Sequence, residues 1–590
     1  MIFVRGVLAV VLSSIAGAFS IASNAPGVRV LGLINPILPG WNPDPSFLRV
    51  GGDYFIATSS FEYFPGHPIY HSTDLVNWTL IGHGLNRPSQ LSLFGTPIDA
   101  GIWAPSLRYH APTETFYLAS TARYAYTAEY RLFPRSFFVT TKDIFADNWS
   151  DPIYFDALGY DTDIFWDTNG DVYATWSGNN NAIDKIYSIY QNKIDITTGN
   201  PLTAAELIFH GTLPDNSTAR PEGPHVYLIN GTYYLLIAEG GSGPEHRSTI
   251  QRGPTPSGPW ESNPNNPILF NGANLSLPVQ WTGHSDILEA PDGSWWGTAL
   301  GVRPQNDSMN HIQLGRETFL FPVTWEDGWP IFNHGQPLAE HIPGVLEDKS
   351  PLAPYLNDFV STSLDLGFYF LRTPYKTFYS LTARPGFLRM NANSFALGDR
   401  DNPALLLRKQ TSYEETFETQ MDFAPQTNLT EAGVTIFYSD LLHNDIAVVG
   451  DGNGGRQIVT RMNVQAVQVG PWSLTYTNST ITTTNFIPLT TKTGPVKFQI
   501  IGNSTGYALG YAEGDSEDFV FPLTIDSELL SIPPFGCVKY FDGHAVTDWR
   551  RIGNSGFFFK GAAFGVYNTG NGKPSLAPAD FEYWKQTPVL

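Results

Sequence analysis

The chain has 590 residues, with 34 lysines and arginines against 55 aspartates and glutamates and a formal net charge of -21. This charge repels the phosphates of nucleic acids and of anionic membranes, so neither is expected as a partner. A chain of this length exceeds one hydrophobic core and predicts two or more domains, and a hydrophobic content of 42% supports globular ones.

The N-terminus has the composition of an export signal. Residues 1–5 carry one positive charge, and residues 6–18 are apolar with small side chains. We expect residues 1–25 to be a signal peptide, cleaved between residues 18 and 25, and the protein to be secreted and extracellular. Nine Asn-x-Ser/Thr sequons support a secreted glycoprotein. Their acceptors are Asn77, Asn148, Asn216, Asn230, Asn274, Asn306, Asn428, Asn478 and Asn503.

From residue 44 onward, one pattern recurs five times. Each unit opens on a polar or aromatic residue and continues with an apolar strand, a turn, an aromatic-rich strand and two further strand-like runs. The turns include Asn-Gly and Asp-Gly pairs, which indicate hairpins. Four short strands per unit, repeated five times, predict a five-bladed β-propeller. The leading residues are Asp44, Trp103, Asp161, Glu222 and His284, at spacings of 59, 58, 61 and 62.

These five leading residues are predicted to meet in one pocket, because the innermost strand of every propeller blade lines the central axis. Three of them are carboxylates, and like charges in one pocket raise one another's pKa. Taken alone, Asp44 between Pro43 and Pro45 is typical of a turn. Its place in the repeat makes it the first of the axial positions and a candidate functional residue.

The repeating pattern stops near residue 332. Residues 347–356 are charged and contain prolines, which predicts a linker between a propeller at residues 26–346 and a second domain at residues 357–590. Within the second domain, residues 417–423 alternate between apolar and polar side chains, as half-buried strands do. Few stretches have helical periodicity, so an all-β sandwich is expected.

Lined up in this way, the chain resembles glycoside hydrolase family 43, in particular its two-domain β-xylosidases. The resemblance runs from about residue 33 to the C-terminus. In the second domain, Phe370-Leu-Arg-Thr-Pro resembles part of the family's appended sandwich, which implies a concanavalin-like fold. The motifs of the first domain include Gly40-Trp-Asn-Pro-Asp-Pro-Ser-Phe, Gly101-Ile-Trp-Ala-Pro, Pro221-Glu-Gly-Pro and Leu314-Gly-Arg-Glu-Thr-Phe.

The resemblance implies roles for the three carboxylates. Asp44 matches the family's general base and Glu222 its general acid. Asp161 matches the aspartate that tunes the pKa of the acid and orients the sugar. Many members have Asp-Pro-Ser where this chain has Asp161-Thr162-Asp163, so Asp163 is a rival for that role. Both aspartates lie on one face of a regular strand, and we favour Asp161 because an apolar run then follows in register.

Four further residues are candidates for binding the sugar. Phe61 and Trp103 would stack on it or form the pocket wall, with simple packing as the alternative. Arg316 would bond sugar hydroxyls and keep Asp44 ionised, with a structural salt bridge as the alternative. His284 would bond a carboxylate or face an axial water or calcium ion, unless it is a core histidine. It is not expected to bind zinc, because no His or Cys cluster accompanies it in the sequence.

The activity implied is that of a secreted, inverting exo-β-D-xylosidase that releases xylose from the non-reducing end of xylo-oligosaccharides. An inverting enzyme holds its two carboxyl groups roughly 6.5–9.5 Å apart, so that water fits beside the anomeric carbon. The nearest alternative is an α-L-arabinofuranosidase, or a bifunctional enzyme, acting on arabinoxylan fragments. A sugar-binding propeller without catalysis is a distant alternative. No cofactor is expected to be required, and a structural calcium ion is left open.

Overall fold

The computed structural model describes residues 32–124, 135–179, 186–214, 219–305, 311–343, 352–470, 473–527, 530 and 559–588, with the backbone only for residues 464–481. The predicted signal peptide and the sequons at Asn216 and Asn306 lie outside these ranges. Within them, the regular elements are strands and two short 3-10 helices, Ala111–Thr113 and Asn333–Gly335. No helix in this part of the chain has the length and apolar character needed to cross a membrane.

The first part of the chain forms five antiparallel sheets of four strands each. In chain order its strands are β1 (Gly32–Ile34), β2 (Ser46–Val50), β3 (Asp53–Ala57), β4 (Tyr63–Phe64), β5 (Gly66–Ser72), β6 (Thr79–Leu85), β7 (Gly101–His110), β8 (Thr115–Arg123), β9 (Arg135–Thr141), β10 (Ile153–Phe155), β11 (Tyr160–Trp166), β12 (Val172–Asn179), β13 (Tyr187–Lys193), β14 (Glu206–Phe209), β15 (Glu222–Ile229), β16 (Thr232–Glu239), β17 (Arg247–Gly253), β18 (Glu261–Ser262), β19 (Gln280–Glu289), β20 (Trp295–Val302), β21 (Glu317–Glu326), β22 (Trp329–Phe332) and β23 (His341–Pro343).

Each sequence repeat corresponds to one of these sheets. Their strand orders are β2-β3-β5-β6, β7-β8-β9-β10, β11-β12-β13-β14, β15-β16-β17-β18 and β19-β20-β21-β22. The first strand of every sheet contacts the first strands of both neighbouring sheets, and β19 contacts β2, so the ring closes. The predicted five-bladed propeller is therefore confirmed. Near the N-terminus, β1 pairs with β23 beyond the last blade.

The leading residues of the blades sit at irregular points of the innermost strands. Register shifts follow the leading positions of β7 and β15 and span those of β11 and β19. Asp44, Asp161 and His284 have φ values of 57°, 55° and 52°. Side chains other than glycine rarely adopt this left-handed conformation, which costs about 1–3 kcal/mol per residue. The fold keeps this strain at the positions where side chains meet at the axis.

The second part of the chain is a sandwich of two antiparallel sheets, as predicted. Its strands are β24 (Tyr355–Asn357), β25 (Tyr369–Leu371), β26 (Tyr379–Ser380), β27 (Leu388–Asn391), β28 (Leu405–Lys409), β29 (Glu415–Phe423), β30 (Glu431–Ser439), β31 (Leu442–Gly450), β32 (Arg456–Gly470), β33 (Ser473–Pro488), β34 (Val496–Gly502), β35 (Gly506–Glu513), β36 (Val520–Asp526), β37 (Ala563–Thr569), β38 (Pro578–Phe581) and β39 (Trp584–Pro588). Strand β24 begins inside the segment predicted to be a linker.

The sandwich core lies between its two sheets. Strand β29 alternates as its sequence predicted, and its inward Phe417 and Met421 pack with Phe498 of β34 in one buried cluster. The facing sheet has the order β33-β32-β31-β30-β37-β28-β25-β4. Strand β4 comes from the first blade and pairs with β25 through Tyr63 and Phe64. Strand β4 leaves no pattern in the sequence, because it is two residues long and its partner lies about 300 residues away.

A buried ion cluster fastens the sandwich to the propeller. Lys560, which is inaccessible to solvent, binds the carboxylates of Glu62 and Asp99, with 2.9 Å to Asp99 Oδ1. The Asp99 amide donates to Glu62 Oε2 at 3.1 Å, so the two propeller carboxylates are held together. Because charges taken out of water need partners at short range, this cluster fixes where the segment around Lys560 lies.

Replacing Lys560 with methionine should destabilise the protein strongly. Lys560→Met keeps much of the side-chain volume but leaves two carboxylates buried around the lost cation, and breaking a buried pair in this way costs about 3–5 kcal/mol. We expect a lower thermal unfolding midpoint in calorimetry. Lys585→Met is the control, because Lys585 is an exposed lysine of the same domain. Equal midpoints for the two variants would show that the cluster does not stabilise the fold.

Candidate active site

A cavity lies at the end of the axis where the innermost strands begin, with about 310 Å³ of space between its walls when the open space at its mouth is included. All seven residues predicted from the sequence line it, together with three that were not predicted, Tyr160, Ser242 and Phe559. Residues from all five blades and from the second domain thus form one site.

Asp44 is held in its ionised form by its neighbours. Arg316 Nη1 lies 3.2 Å from Asp44 Oδ1, and the Ser59 hydroxyl donates to Oδ2 at 2.6 Å. His284 Nδ1 lies 3.7 Å from Oδ1. Burial opposes ionisation, but Arg316, His284 and Ser59 outweigh it and hold the pKa of Asp44 below its usual value. Asp44 is therefore a carboxylate able to accept a proton.

Glu222 has the opposite character. Burial and the charge of Asp44 raise the pKa of Glu222 to about 7, although Arg220 lowers it. The Tyr160 hydroxyl donates to Glu222 Oε2 at 3.2 Å, and His246 Nε2 lies 3.9 Å from Oε1. A carboxyl group with this pKa keeps its proton into the neutral range and can donate it. The cavity therefore contains one carboxyl suited to each direction of proton transfer.

Asp161 lies beside Glu222 and shares its environment. Its Oδ2 accepts a hydrogen bond of 3.1 Å from the amide of Gly223, the residue after Glu222. Burial and the charges of Glu222 and Asp44 raise the pKa of Asp161 well above its usual value. Because two neighbouring carboxyl groups resist being ionised together, Asp161 and Glu222 titrate as a pair and keep at least one proton between them into the neutral range. Its position therefore suits both orienting and tuning the acid.

Asp163, the rival to Asp161, does not line the cavity. Its Oδ1 lies 2.9 Å from Arg108 Nε, and its Oδ2 accepts the Val226 amide at 3.1 Å. Burial opposes ionisation, but Arg108 lowers the pKa of Asp163 below its usual value. The expectation that residues 161 and 163 occupy one face of a regular strand is wrong, because the register shifts between Tyr160 and Asp163. Contacts, rather than strand parity, separate the two aspartates.

The second domain supplies one wall of the cavity. The Phe559 ring stacks on Phe61, with centroids 6.0 Å apart and an angle of 18°, and meets Trp103 edge-on at 5.7 Å. The Phe559 carbonyl accepts a hydrogen bond of 3.1 Å from Arg316 Nε. This approach requires a glycine at position 315, since a Cβ there would lie 2.5 Å from the backbone carbonyl oxygen of Lys560. The sandwich therefore positions the arginine that contacts Asp44.

The two aromatic residues predicted from the sequence have different surroundings. Phe61 is buried between the domains, in a cluster with Trp41 and Tyr63. Trp103 is half-buried, and its indole N–H donates to the Asp99 carbonyl at 2.8 Å. The ring lines the cavity, and the Arg123 guanidinium lies over it at 4.7 Å from the ring centroid.

His284 has a partner that the sequence did not indicate. His284 lies close to His246 and Glu222. Each of the three residues offers one potential metal-ligand atom, and these three atoms lie within 4.8 Å of one another. No His or Cys cluster accompanies His284 in the sequence, but blades four and five bring His246 close to it in space. Calcium prefers six to eight oxygen ligands, so this set does not fit it.

Four residues at or beside the site were not predicted from the sequence. Tyr160 directly precedes a leading residue, so its position in the repeat could have indicated it. Ser242 and His246 lie in the glycine-rich segment between β16 and β17, where no strand periodicity applies. Phe559 had no signal, because it lies in the second domain and reaches the cavity only through the packing of the domains.

Comparison with known proteins identifies the family. Residues 33–330 match the model for glycosyl hydrolases family 43, and residues 357–587 match the beta xylosidase C-terminal Concanavalin A-like domain. The chain belongs to glycosyl hydrolases family 43. It is therefore a glycoside hydrolase, and its sandwich is the concanavalin-like domain that the resemblance implied.

Relatives of this family-43 hydrolase carry two activities in their names. The chain is 36% identical over 555 residues to the non-reducing end alpha-L-arabinofuranosidase BoGH43B of Bacteroides ovatus, covering 93% of this chain and 94% of that protein. It is 36% identical over 430 residues to the xylosidase/arabinosidase 43B of Humicola insolens, covering 72% and 78%. A crystal structure of xylan beta-1,4-xylosidase from Bacillus halodurans superposes with a TM-score of 0.80 at 29% identity, covering 94% and 100%.

Replacing Arg316 should change the pH dependence of glycoside hydrolysis. Arg316→Met removes the largest influence that lowers the pKa of Asp44, so that pKa rises. We expect the acidic limb of the kcat/KM profile to move to higher pH by about one unit, at the low end of the effect of a nearby opposite charge.

Arg303→Met provides the matched control for this prediction. Arg303 is a half-buried arginine paired with Glu317 at 2.6 Å, and it does not line the cavity. Its acidic limb should match that of the wild type. An unmoved acidic limb in Arg316→Met would mean that Arg316 does not control the ionisation of Asp44.

Proposed function

We propose that this protein is a secreted, inverting exo-β-D-xylosidase that releases xylose from the non-reducing end of xylo-oligosaccharides. The observation that supports this most is the pairing of Asp44, whose pKa is lowered, with Glu222, whose pKa is raised to about 7, at one small cavity. Glycoside cleavage by inversion needs one ionised and one protonated carboxyl group.

In the proposed mechanism, Asp44 is the general base. It takes a proton from a water molecule, whose oxygen attacks the anomeric carbon on the face opposite the leaving group. Arg316 and Ser59 keep Asp44 ionised and oriented for this step. Glu222 is the general acid and gives its proton to the departing glycosidic oxygen. Asp161 and Glu222 resist being ionised together, because two adjacent negative charges repel each other, so the pair retains the proton that Glu222 donates until the bond breaks.

The shape of the cavity favours action at a chain end. Phe61, Trp103 and Phe559 line it from both domains, and Phe559 comes from the sandwich. A small cavity walled by aromatic rings suits a terminal sugar, which can stack on them. A long chain passing through would instead need an open groove. Xylo-oligosaccharides and arabinoxylan fragments are therefore the proposed substrates.

An α-L-arabinofuranosidase, alone or combined with xylosidase activity, is the second candidate. It is favoured by the Bacteroides ovatus relative, whose alignment covers 93% of this chain and whose name states that activity. Both sugars are pentoses without charge, so the same pair of carboxyl groups would serve either. A non-catalytic sugar-binding propeller is disfavoured, because all three carboxyl groups of the predicted site line the cavity.

Secretion and glycosylation are part of the proposal. Five of the six sequon asparagines with described side chains are exposed, and Asn503 is half-buried. The exposed ones are Asn77, Asn148, Asn230, Asn274 and Asn428. Exposure is what attachment of a bulky glycan requires. Expression of the whole chain in a eukaryotic host should yield protein in the medium that loses mass on treatment with an N-glycosidase.

Assays on defined substrates test the proposed activity. We expect xylose from xylobiose, and a higher kcat/KM on 4-nitrophenyl β-D-xyloside than on 4-nitrophenyl α-L-arabinofuranoside. Inversion predicts α-xylose as the first product seen by NMR. Absence of xylose from xylobiose would reject the xylosidase, the reverse order of kcat/KM would favour the arabinofuranosidase, and β-xylose as first product would reject inversion.

Replacing Glu222 with glutamine should separate catalysis from binding. Glu222→Gln removes the proton donor but keeps the size of the side chain. We expect kcat on xylobiose to fall by about 10²–10⁴-fold, the usual contribution of general acid catalysis, with xylose binding retained in tryptophan fluorescence. Glu239→Gln is the control, because Glu239 is a buried glutamate of the same blade that does not line the cavity. Normal turnover in Glu222→Gln would refute the acid assignment.

A further inference from the structure

His246 occupies a buried slot beside Glu222. It lies just before β17 and is only 1% exposed. Its ring packs against the backbone of Gly283 in β19, where a Cβ would lie 2.6 Å from the ring carbon Cε1. Any other residue at position 283 would therefore displace the imidazole. The fold reserves this space for a ring in a fixed orientation.

The hydrogen-bond partner of His246 determines which ring nitrogen carries hydrogen. Nδ1 lies 3.0 Å from the carbonyl oxygen of Trp281. A carbonyl oxygen only accepts hydrogen bonds, so Nδ1 is the N–H of the ring. Burial lowers the pKa of His246 to about 3, so the ring is neutral over the working range. Nε2 therefore presents a lone pair and no hydrogen.

That lone pair faces the candidate acid. Nε2 is buried and has no hydrogen-bond partner among the described residues, and it lies 3.9 Å from Glu222 Oε1. A shift of about 1 Å would bring the two atoms to hydrogen-bond distance, and catalytic hydrogen bonds often tighten only in the substrate complex. A carboxyl O–H at Oε1 would satisfy the lone pair, whereas a carboxylate oxygen would be repelled by it.

We propose that His246 is a positioning residue that holds the proton of Glu222 on Oε1 by accepting a hydrogen bond from the carboxyl group. This inference rests on the proposed function, in which Glu222 is the general acid. His246 takes no proton itself. The proton of Glu222 passes to the glycosidic oxygen as the bond breaks, and the resulting carboxylate is protonated again from solvent before the next turnover.

The other groups around Glu222 explain why such an acceptor is needed. The Tyr160 hydroxyl donates to Oε2, and together with Arg220 and Arg316 it favours the ionised form. Asp44 favours the protonated form through repulsion, and Asp161 and Glu222 resist being ionised together. Burial lowers the pKa of His284 to about 4, so this ring adds no charge. Within this described set, His246 is the group that accepts a hydrogen bond at Oε1.

Two substrates and a ring-preserving variant test the role of His246. His246→Phe keeps a planar ring but removes the lone pair. We expect the basic limb of kcat/KM on xylobiose to move to lower pH by about one unit, a tenfold change in the acid equilibrium. On 2,4-dinitrophenyl β-D-xyloside, whose leaving group departs without a proton, kcat/KM at neutral pH should stay close to the wild-type value. His246→Gln, which offers an amide donor and an acceptor oxygen, should restore the basic limb.

A matched control and the wild-type enzyme separate the outcomes. His83→Phe replaces another buried imidazole, which bonds the Tyr369 hydroxyl at 3.2 Å and lies outside the cavity lining. It should leave the basic limb in place. An equal loss on both substrates with an unmoved limb would reduce His246 to a packing residue and overturn the inference. Inactivity of the wild type on every glycoside would instead refute the proposed function.

A measurement on the wild type keeps the inference testable if His246→Phe does not fold. In ¹⁵N NMR of histidine-labelled protein, the bare Nε2 resonance of His246 should shift as Glu222 loses its proton, with the same midpoint as the basic limb. An Nε2 that carries hydrogen, or that does not respond to the titration, would overturn the proposal.

Discussion

The structure depends on how buried negative charge is arranged along the propeller axis. Five innermost strands converge there and bring carboxyl groups close together, where like charges repel and water cannot screen them. One layer away from the cavity, Arg108 pairs with Asp163 and also lies 3.2 Å from Asp286 Oδ2. For both aspartates, neighbouring charges and hydrogen bonds outweigh the effect of burial, so each pKa lies below its usual value. That layer therefore holds two ionised carboxylates around one guanidinium, next to the site.

The layer at the cavity holds carboxyl groups of opposite character. Arg316 binds Asp44 and lowers its pKa against burial, whereas burial and the charge of Asp44 outweigh Arg220 at Glu222, and burial and the charge of Glu222 raise the pKa of Asp161. The same axial geometry therefore produces one carboxylate and two carboxyl groups with raised pKa. The proposed division of roles between base and acid follows from the Arg316 guanidinium beside Asp44.

The second domain takes part in this arrangement. Its segment at residues 559–560 inserts beside Arg316, and the Phe559 carbonyl accepts a hydrogen bond from that arginine. Lys560 anchors the segment on Glu62 and Asp99, and strand β4 of the propeller joins the sandwich sheet next to Phe61. Packing between the domains is thereby linked to the pKa of Asp44 through three contacts. Lys560 binds the propeller carboxylates, the Phe559 carbonyl binds Arg316, and Arg316 binds Asp44. The sandwich is thus a structural component of the site as well as a neighbour of the propeller.

The sequence by itself determined the repeat, the five blades and the leading residues, because hairpin turns and strand alternation are local and recur at a nearly constant spacing. It also placed Asp44, Glu222 and Asp161 at one axis. Only the tertiary structure decided between Asp161 and Asp163, because a register shift breaks the alternation on which the sequence argument relied. The contributions of His246 and Phe559 likewise depended on contacts between distant segments. Such contacts leave no periodic trace in a sequence, since they arise when blades and domains pack against each other.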